Sequence, residues 1–455
     1  MTAVHTATAA DDVLGELHAV VTGRVIAPGT VDYDRARTVS YGIDRRPAAV
    51  VRARSTADVS RVVRLAREHG RELAVRSGGH SPAGHGTTDG GIVLDLAGLK
   101  GVDIDARRRT AWAGAGLTAG EYAAATAAHG LATGFGDTGS VGLGGITLSG
   151  GIGYLVRAHG LTIDNLLAAD VVTADGELRR VDASTHPDLF WAIRGGGGNV
   201  GVATRLHYRL SEVDLVTGGT LVLPATPRTL VRFIDEALAA PEQLTTIATV
   251  MPVGLHGPLV MRAVLVHSGS PAAGERAVAP FRALGAPIAD TVGPVRYRDL
   301  LVPAGGDHQT WAHRTMFLDA VDVGAAAALL AALRDSDSPM PLVQLRVLGG
   351  AMARVPADAT PFAHRTAPIL ANVAALYEHR DELPSRAAWV DGVTGALRPR
   401  RGAAAGFLGD EGGYGARAAY PGRTWGRLAE VKRRYDPTNL FRLNQNVPPA
   451  RRADC

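Results

Sequence analysis

The sequence predicts an α+β protein built from two domains. Its 455 residues, 46% of them hydrophobic, are enough to form two buried cores. Up to about residue 212, strand and helix patterns are separated by dense clusters of glycine. From there to about residue 400 the glycine clusters stop, and strand and helix patterns bounded by proline alternate. This change of pattern predicts a domain boundary near residue 212.

Charge and composition argue against a nucleic-acid partner. The net charge is +4, but positive and negative residues are mixed and no block of Lys and Arg of the nucleic-acid-binding type occurs. Lysine occurs only at Lys100 and Lys432, while Ala, Gly and Arg are abundant, which favours a GC-rich bacterial genome as the explanation of the high pI. We therefore expect no nucleic-acid partner, and the sequence leaves the oligomeric state open.

The chain shows neither a membrane segment nor a cysteine framework. No apolar run is long enough to span a bilayer, and residues 1–12 lack a basic region followed by an apolar one, so we expect a cytoplasmic protein without a membrane partner. Cys455 is the only cysteine, which excludes an intrachain disulfide, a cysteine-based zinc site and an Fe–S cluster.

A glycine-rich loop, residues 76–86, follows the second strand of a predicted β–α–β unit. The unit consists of a strand at 48–52, a helix opened by Ser55, and strands at 72–75 and 91–96. Successive backbone N–H groups in such a loop can form an anion-binding nest, although an ordinary tight turn has the same composition. In a Rossmann unit the glycine loop follows the first strand and opens the helix, so that fold is not predicted.

Residues 134–153 form a second glycine-rich stretch. An isolated helix is not expected here, because each interior glycine costs about 1 kcal/mol relative to alanine. Apolar residues such as Val141 and Ile146 alternate with the glycines, which is unlike a flexible linker and favours backbone lying against a large ligand. A third cluster, 195–201, matches G-x-G-x-x-G but follows a helix, which is the wrong context for a dinucleotide fingerprint.

The remaining patterns predict the elements around these stretches. A hairpin is expected at 168–181, a helix at 187–194 and a strand at 201–209. The second domain is predicted to contain helices at 224–240, 272–284 and 325–334 and strands at 247–252, 259–267 and 341–349. The run 307–313 is expected to be a loop, and 425–435 a helix.

Several of these motifs resemble one known family, the FAD-linked oxidases of the vanillyl-alcohol-oxidase superfamily, in its berberine-bridge-enzyme-like branch. The matching stretches are Arg76-Ser-Gly-Gly-His-Ser81, Gly139-Ser-Val-Gly-Leu-Gly-Gly145, Ser149-Gly-Gly-Ile-Gly153, Pro187 to Gly201 and Tyr435 to Asn446. The match covers nearly all of residues 40–210 and 400–449 and is weak between them. Bacterial members, including antibiotic-tailoring flavin oxidases, look most similar.

The resemblance implies a PCMH-type FAD-binding domain of two subdomains, followed by an α+β substrate domain with an antiparallel sheet. Residues 1–212 would form the first part of the FAD-binding domain, 213–402 the substrate domain, and 403–455 a segment that returns to the FAD-binding domain. The implied FAD contacts are His80, Arg76, Ser77, Gly78, Gly79, Ser81, His85, Thr138, Gly139, Val141, Gly144, Gly145, Gly150, Gly151, Gly153, Asn165, Gly201, Val202, Asn444 and Asn446.

The resemblance also implies how the flavin is attached. His80 occupies the position that is bonded to the flavin C8α methyl group in the family, and imidazole is a suitable nucleophile near neutral pH. Many members carry a second link through a cysteine, at the position of Thr138. We therefore expect one covalent link, through His80, and no cysteinyl link. Val141 corresponds to a position where residue size is thought to govern access of oxygen, although core packing would also explain it.

The family reaction transfers a hydride from a substrate carbon to the flavin, which O2 then reoxidises with release of H2O2. We therefore expect an oxidase acting on an alcohol or amine carbon of a small secondary-metabolite-like molecule. The sequence departs from the family in its general base. Residues 403–407 lack the usual tyrosine, and the strand at 341–349 carries Gln344 and Arg346 on one face instead of a glutamate. Arg346 either binds an anion or stabilises an oxyanion, or points away from the pocket and pairs on the surface.

Other candidate catalytic residues are Tyr297, His308, His313 and Asp410. The two histidines are too far apart for an i, i+4 metal pair, and no metal site is expected. A substrate that loses its proton to water would need no base. Two alternatives to an oxidase stay open: a flavin dehydrogenase with an acceptor other than oxygen, and a flavin-loaded protein that binds an antibiotic or confers resistance to it.

Overall fold

The computed structural model describes residues 13–451 except 256, 304–308 and 401. In this part of the chain the strands form sheets of 4, 5 and 8 strands and one two-stranded pair. None of the helices found there combines the length and the apolar character that crossing a bilayer requires.

The first sheet carries the loop that follows Arg76. Its strands are β1 (Arg24–Ile26), β2 (Ala49–Arg52), β3 (Leu73–Arg76) and β4 (Ile92–Asp95), in the order β1-β2-β4-β3. β4 is parallel to both β2 and β3, which places the carboxyl ends of these three strands at one edge. The crossover helix Thr56–Glu68 is capped by Ser55, whose hydroxyl accepts from the backbone N–H of Asp58, and it buries Val59, Val62 and Val63.

The second sheet is antiparallel and has 5 strands. These are β5 (Val102–Asp105), β6 (Thr110–Gly114), β8 (Leu166–Val172), β9 (Leu178–Asp182) and β10 (Val202–Arg209), in the order β5-β6-β10-β8-β9. Strand β7 (Leu131–Ala132) pairs separately with β11 (Ser211–Glu212). The helices of this region are residues 13–20, Tyr33–Arg37, Thr56–Glu68, Ala119–Ala127, Leu143–Leu148, Val156–His159 and Pro187–Ile193, with 3-10 turns at Thr162–Asn165 and Gly197–Asn199.

The third sheet has 8 strands and forms the middle of the chain. The strands are β12 (Leu215–Pro224), β13 (Leu244–Pro252), β14 (Leu259–His267), β15 (Ala289–Asp290), β16 (Gly293–Arg296), β17 (Thr310–Leu318), β18 (Pro341–Val347) and β19 (Ile369–Tyr377). All of the pairings are antiparallel, in the order β15-β12-β14-β13-β18-β19-β17 with β16 beside β12. The helices here are Pro227–Ala239, Pro271–Arg282, Val323–Arg334, Ala351–Arg354 and Leu383–Ala396, with 3-10 turns at Tyr297–Leu300 and Arg380–Glu382.

The C-terminal segment packs against the first part of the chain. It contains a 3-10 turn, Ala405–Phe407, and the helices Gly412–Ala419 and Arg423–Tyr435. Leu408, Tyr420, Leu428 and Val447 belong to the same buried cluster as the cores of the first two sheets. The 8-stranded sheet has a cluster of its own, with members between residues 221 and 397.

The α+β class with antiparallel sheets is confirmed, but two local predictions were wrong. The run 307–313 was expected to be a loop, yet β17 begins at Thr310 and His313 is a strand residue; residues 304–308, including His308, lie outside the described residues. Residues 143–148, expected to be non-helical, form a helix. That helix is buried, with Leu143 at 0% exposure, and Thr147 shares a hydrogen bond of 2.8 Å with Tyr208, so tertiary packing offsets the low helix propensity of its glycines.

Candidate FAD and substrate site

The three glycine-rich stretches meet around one cleft. Its volume is about 320 Å³, at the lower end of the usual range of roughly 300–1,000 Å³ for a ligand pocket. Most of its wall residues fall within the stretches 73–86, 136–152, 197–203, 404–408 and 441–445, although not every residue of a stretch lines the cleft, and Tyr41, Leu96 and Tyr420 complete the wall. The cleft therefore has a long, glycine-rich lining, which suits a ligand that lies against backbone.

Contacts between the first two stretches require glycine. A Cβ on Gly78 would lie 2.3 Å from the backbone nitrogen of Gly142, and one on Gly142 would lie 2.2 Å from that of Gly78. Gly79 adopts a φ of +73°, in the left-handed region that favours glycine. Ser77 joins the same contact, because its hydroxyl donates to the carbonyl of Ala115 at 2.6 Å and accepts from the N–H of Gly144 at 3.3 Å.

Arg76 begins the first loop, but its charged group points into the protein. Its guanidinium donates to the carbonyl of Ala36 at 2.6 Å and to the Asp95 carboxylate at 3.2 Å. The side chain is 7% exposed. Asp95 on strand β4 therefore holds Arg76 in place at the cleft wall and balances the charge of the guanidinium.

The C-terminal segment is fixed by a buried ion pair. Lys432 and Asp436 are both 0% exposed and lie 2.9 Å apart. Lys432 also donates to the carbonyl of Phe441, while Asp436 accepts from the N–H groups of Leu440 and Phe441. Burial lowers the pKa of Lys432, and the neighbouring Asp436 opposes this effect. The pair holds the chain leading to Asn444 against the cleft wall.

Two buried polar atoms in the cleft wall have no hydrogen-bond partner in the described part of the chain. They are Asn444 Oδ1 and the hydroxyl of Tyr420, a residue that is 1% exposed. Buried polar atoms normally find partners, so these two indicate a bound group with complementary donors or acceptors. Apolar side chains, among them Val141, Ile146 and Leu148, line the same cleft. This combination fits a flavin, whose ring has two apolar faces and a polar edge.

Comparisons with known proteins agree with this geometry. Residues 47–182 match the FAD binding domain family, and residues 408–448 match the berberine and berberine-like family. The (R)-6-hydroxynicotine oxidase of Paenarthrobacter nicotinovorans is 30% identical over 457 residues, covering 94% of this chain and 97% of the relative. An uncharacterised FAD-linked oxidoreductase of Bacillus subtilis, YgaK, is 28% identical over 95% of this chain and 98% of its own length.

The chain belongs to the berberine-bridge-enzyme-like FAD-linked oxidoreductases.

Solved structures give the same result. The 6-hydroxy-D-nicotine oxidase of Arthrobacter nicotinovorans superposes with a TM-score of 0.87 at 28% identity, covering 94% of this chain and 98% of the other. A berberine bridge enzyme variant gives 0.86 at 22% identity, covering 97% and 100%, which shows the shared fold. The protein is therefore an FAD-linked oxidoreductase.

Most of the FAD contacts expected from the sequence line the cleft. They are Arg76, Ser77, Gly78, Gly79, His80, Ser81, His85, Thr138, Val141, Gly144, Gly145, Gly151, Gly201, Val202 and Asn444. Burial lowers the pKa of His85 to about 4, with Asp410 opposing and Arg45 adding to the effect, so His85 is neutral at pH 7.

The other five expected contacts lie outside the cleft wall, and four of them have a packing role. A Cβ on Gly139 or Gly153 would meet backbone at 2.1 or 2.2 Å, and one on Gly150 would lie 3.1 Å from Phe362. The amide of Asn165 donates to the carbonyls of His159 and Leu161. Asn446 does not line the cleft, and its Oδ1 has no hydrogen-bond partner among the described residues.

Arg346 points toward the FAD-binding part of the chain, so the expected alternative of a surface pair is wrong. Its Nη2 donates to Oδ2 of Asp137 at 2.5 Å and to Oε1 of Gln344 at 2.8 Å. Gln344 in turn donates to the hydroxyl of Thr249 at 3.3 Å. The Arg346 side chain is 8% exposed, and neither Arg346 nor Gln344 lines the cleft directly. The pair joins strand β18 to the loop that carries Thr138.

The other candidate catalytic residues surround the cleft without lining it. Tyr297 is 2% exposed, and its hydroxyl has no hydrogen-bond partner among the described residues. Burial raises the pKa of Tyr297, so the phenol stays protonated near neutral pH and is a poor base. Burial lowers the pKa of His313, whose ring is stacked on Tyr41 with centroids 6.4 Å apart. Asp410 is exposed and acts electrostatically on His85.

The lining residues that were not among the expected contacts include Tyr41, Asp137, Phe407 and Tyr420. Asp137 lies within the second glycine stretch, where a single carboxylate among glycines was an available signal. Tyr41 lies far from every glycine motif, and only its left-handed φ of 67°, visible in the structure, sets it apart. In the described residues no group of three or more His, Cys, Asp and Glu side chains is placed to hold a metal ion.

Proposed function

We propose that this oxidoreductase is an FAD-dependent oxidase with a single covalent flavin link. It would remove a hydride from an alcohol or amine carbon of a small secondary-metabolite-like molecule and be reoxidised by O2 to give H2O2. The observation that carries the proposal is the cleft in which the glycine-rich stretches, His80 and the unpaired polar atoms of Asn444 and Tyr420 come together.

When bound, FAD supplies the hydride-accepting chemistry, and the chain supplies position and electrostatics. The backbone N–H groups of the loop after Arg76 would hold the pyrophosphate, because successive amides in a glycine turn form an anion nest. Asn444 Oδ1 and the Tyr420 hydroxyl are suited to polar atoms of the flavin. Val141 and Ile146 would exclude water from its ring.

The single link through His80 is supported by the residues around the cleft. His80 lines the cleft in the loop expected to carry the attachment. Thr138, which also lines it, stands where many relatives carry the second, cysteinyl link, and the only cysteine of the chain is Cys455. A hydroxyl at that position has no comparable nucleophilicity near neutral pH, so one link is expected.

Reoxidation kinetics separate an oxidase from a dehydrogenase. The FAD-loaded protein would be reduced anaerobically with dithionite and mixed with air-saturated buffer or with an artificial quinone. We expect air to restore the flavin absorbance at least as fast as the quinone does, with one H2O2 formed per flavin. Slow reoxidation by air together with fast reoxidation by the quinone would overturn the oxidase assignment and leave a dehydrogenase.

A further inference from the structure

The third glycine-rich stretch, residues 195–201, has two sides, and only one of them faces the cleft. Gly197, Gly198 and Gly201 line the cleft, in which FAD is expected to bind. Gly195, at the start of the stretch, does not line the cleft. A role in FAD binding therefore leaves Gly195 and the residues just before it unexplained.

Phe362, from the chain between β18 and β19, packs against the other side of this stretch. A Cβ on Gly195 would lie 3.1 Å from the backbone nitrogen of Phe362, and one on Gly150, in the second glycine-rich stretch, would lie 3.1 Å from the Phe362 ring. Gly195 and Gly150 have φ values of +113° and +115°, which residues with a Cβ rarely adopt. The two stretches therefore form a socket for Phe362, which is 4% exposed.

Hydrogen bonds fix the chain on one side of this socket. Residues 358–365, which we call the wedge, carry Phe362. Trp191 Nε1 donates to the carbonyl of Asp358 at 3.0 Å, and the Arg194 guanidinium donates to the carbonyl of Ala359 at 3.2 Å. The residues that precede the third glycine-rich stretch therefore bind the backbone of the wedge.

A buried ion pair fixes the other end of the wedge. Arg365, 1% exposed, donates through two nitrogens to Asp164 at 2.7 and 2.8 Å. Its Nε donates to the carbonyl of Phe362 at 3.2 Å, and its guanidinium lies 5.6 Å from the centroid of the Phe362 ring. Withdrawing Phe362 from the socket would therefore disturb a buried charge as well as an apolar contact.

The wedge connects the cleft to the 8-stranded sheet. Phe362 belongs to a buried cluster that also contains Ile152 and Ala404, which line the cleft, and Leu370 of β19. Phe362 itself does not line the cleft. Because protein interiors are close-packed, the loss of its ring would let these neighbours shift. A change at Phe362 therefore reaches the cleft wall indirectly.

We propose that Phe362 is a positioning residue for FAD. By filling its socket it holds the second and third glycine-rich stretches at the spacing that FAD binding requires. The proposal rests on the proposed function for the placement of FAD in the cleft, but not on the covalent link or on the reaction with oxygen. Since coupling between two sites is reciprocal, bound FAD must also stabilise the wedge.

The affinity for FAD tests the first half of the proposal. In a His80→Ala background, where FAD is expected to exchange, Phe362→Ala should raise the Kd for FAD at least about tenfold, because the stretches lose their common support. FAD would be titrated into the FAD-free protein while its fluorescence is followed. Phe362→Leu, which keeps an apolar side chain in the socket, should recover most of the affinity.

Phe281→Ala is the matched control. Phe281 is 1% exposed and packs on Phe233 within the buried cluster of the 8-stranded sheet. Both alanine variants lose a buried ring and should unfold at lower urea concentrations than their parent, but Phe281→Ala should change the Kd for FAD by less than about twofold. An unchanged Kd in Phe362→Ala, or equal increases in the two variants, would refute the positioning role.

Hydrogen exchange tests the reverse direction without any change in the wedge. In the His80→Ala protein, adding FAD should slow exchange of the amides of residues 358–365 at least about tenfold and leave the helix Pro271–Arg282 unchanged. Slower exchange confined to the residues that line the cleft would overturn the proposal. This result decides the question even where Phe362→Ala does not fold.

The positioning role and the proposed function fail separately. Slow reoxidation by air, or FAD that is not attached to His80, would leave the comparison of Phe362→Ala with Phe281→Ala unchanged. Should His80→Ala bind no FAD, the ratio of flavin to protein absorbance is compared in the two variants with His80 intact. A lower ratio in Phe362→Ala alone would support the positioning role, and equal ratios would contradict it.

Discussion

The glycine-rich region around the cleft and the 8-stranded sheet differ in how far the sequence reveals their contacts. Around the cleft the contacts are made largely by backbone, and glycines such as Gly78 and Gly142 are required because neighbouring backbone occupies the space of a Cβ. In the 8-stranded sheet the informative contact is one between side chains, from Arg346 on β18 to Asp137 in the glycine-rich region. A constraint on backbone appears in the sequence as a glycine motif, whereas a contact between distant side chains has no local pattern.

The largest difference between the two regions is expected in how glycine-to-alanine substitutions affect stability and FAD content. In Gly78→Ala the new Cβ would meet the backbone of Gly142, and we expect a loss of about 4 kcal/mol in the free energy of unfolding together with loss of FAD. Gly392→Ala, in the helix Leu383–Ala396, is the control, since no atom outside its own helix backbone lies within 4 Å of its Cβ position. The ratio of flavin to protein absorbance and urea unfolding measure both effects; normal FAD content in Gly78→Ala would contradict the close contact.

The second effect concerns a buried ion pair that joins the regions. Arg365, 1% exposed, donates through two nitrogens to Asp164 at 2.7 and 2.8 Å. Arg365→Met leaves that carboxylate unpaired and should lower the free energy of unfolding by about 3 kcal/mol. Arg282→Met, which removes two partly exposed ion pairs, with Glu275 and Asp290, should cost less than about 1 kcal/mol. Urea unfolding measures both losses. Equal losses in the two variants would show that burial does not increase the contribution of the ion pair to the free energy of unfolding.

The third effect is a dependence of the free energy of unfolding on pH, caused by His85 in the FAD-binding region. His85 has a folded pKa of about 4 against an ordinary value of 6.5, so the unfolded chain binds a proton first as pH falls. Stability should therefore decrease between about pH 6.5 and 4, by about 2 kcal/mol more in the wild type than in His85→Gln. Urea unfolding of the FAD-loaded proteins across this range tests the difference, and parallel curves for the two proteins would argue against a buried neutral His85.

The smallest effect tests the unpaired hydroxyl of Tyr420. Without FAD, Tyr420→Phe should be neutral or slightly stabilising, because the hydroxyl has no partner among the described residues. In a His80→Ala background, where FAD is expected to exchange, the same change should raise the Kd for FAD by roughly fivefold, the equivalent of one hydrogen bond. Destabilisation of the FAD-free protein with an unchanged Kd would assign the hydroxyl to packing instead.

Much of the fold could be predicted because local patterns and final structure agree. The strand predicted at 259–267 coincides with β14, and the helix predicted after Ser55 begins there with its cap. The exceptions have tertiary causes. Glycines made residues 143–148 unsuitable for an isolated helix, but burial stabilises one, and the sheet pairing with β19 makes Thr310–Leu318 a strand.

The candidate site could be predicted only in part. His80 and the first glycine loop line the cleft as the motifs suggested. Gly139 and Gly153 belong to the same motifs, but the structure places them against neighbouring backbone instead. The partner of Arg346 could not be found from sequence, because Asp137 is 209 positions away and only folding brings the two together.

The attachment of FAD to His80 is the central claim, and peptide mass measurement tests it most directly. The FAD-loaded protein would be precipitated with acid, digested and analysed, with His80→Ala treated in parallel. We expect the wild-type precipitate to stay yellow, one peptide containing His80 to carry the mass of FAD, and the His80→Ala precipitate to be colourless. A colourless wild-type precipitate, or FAD attached to a peptide without His80, would contradict the account.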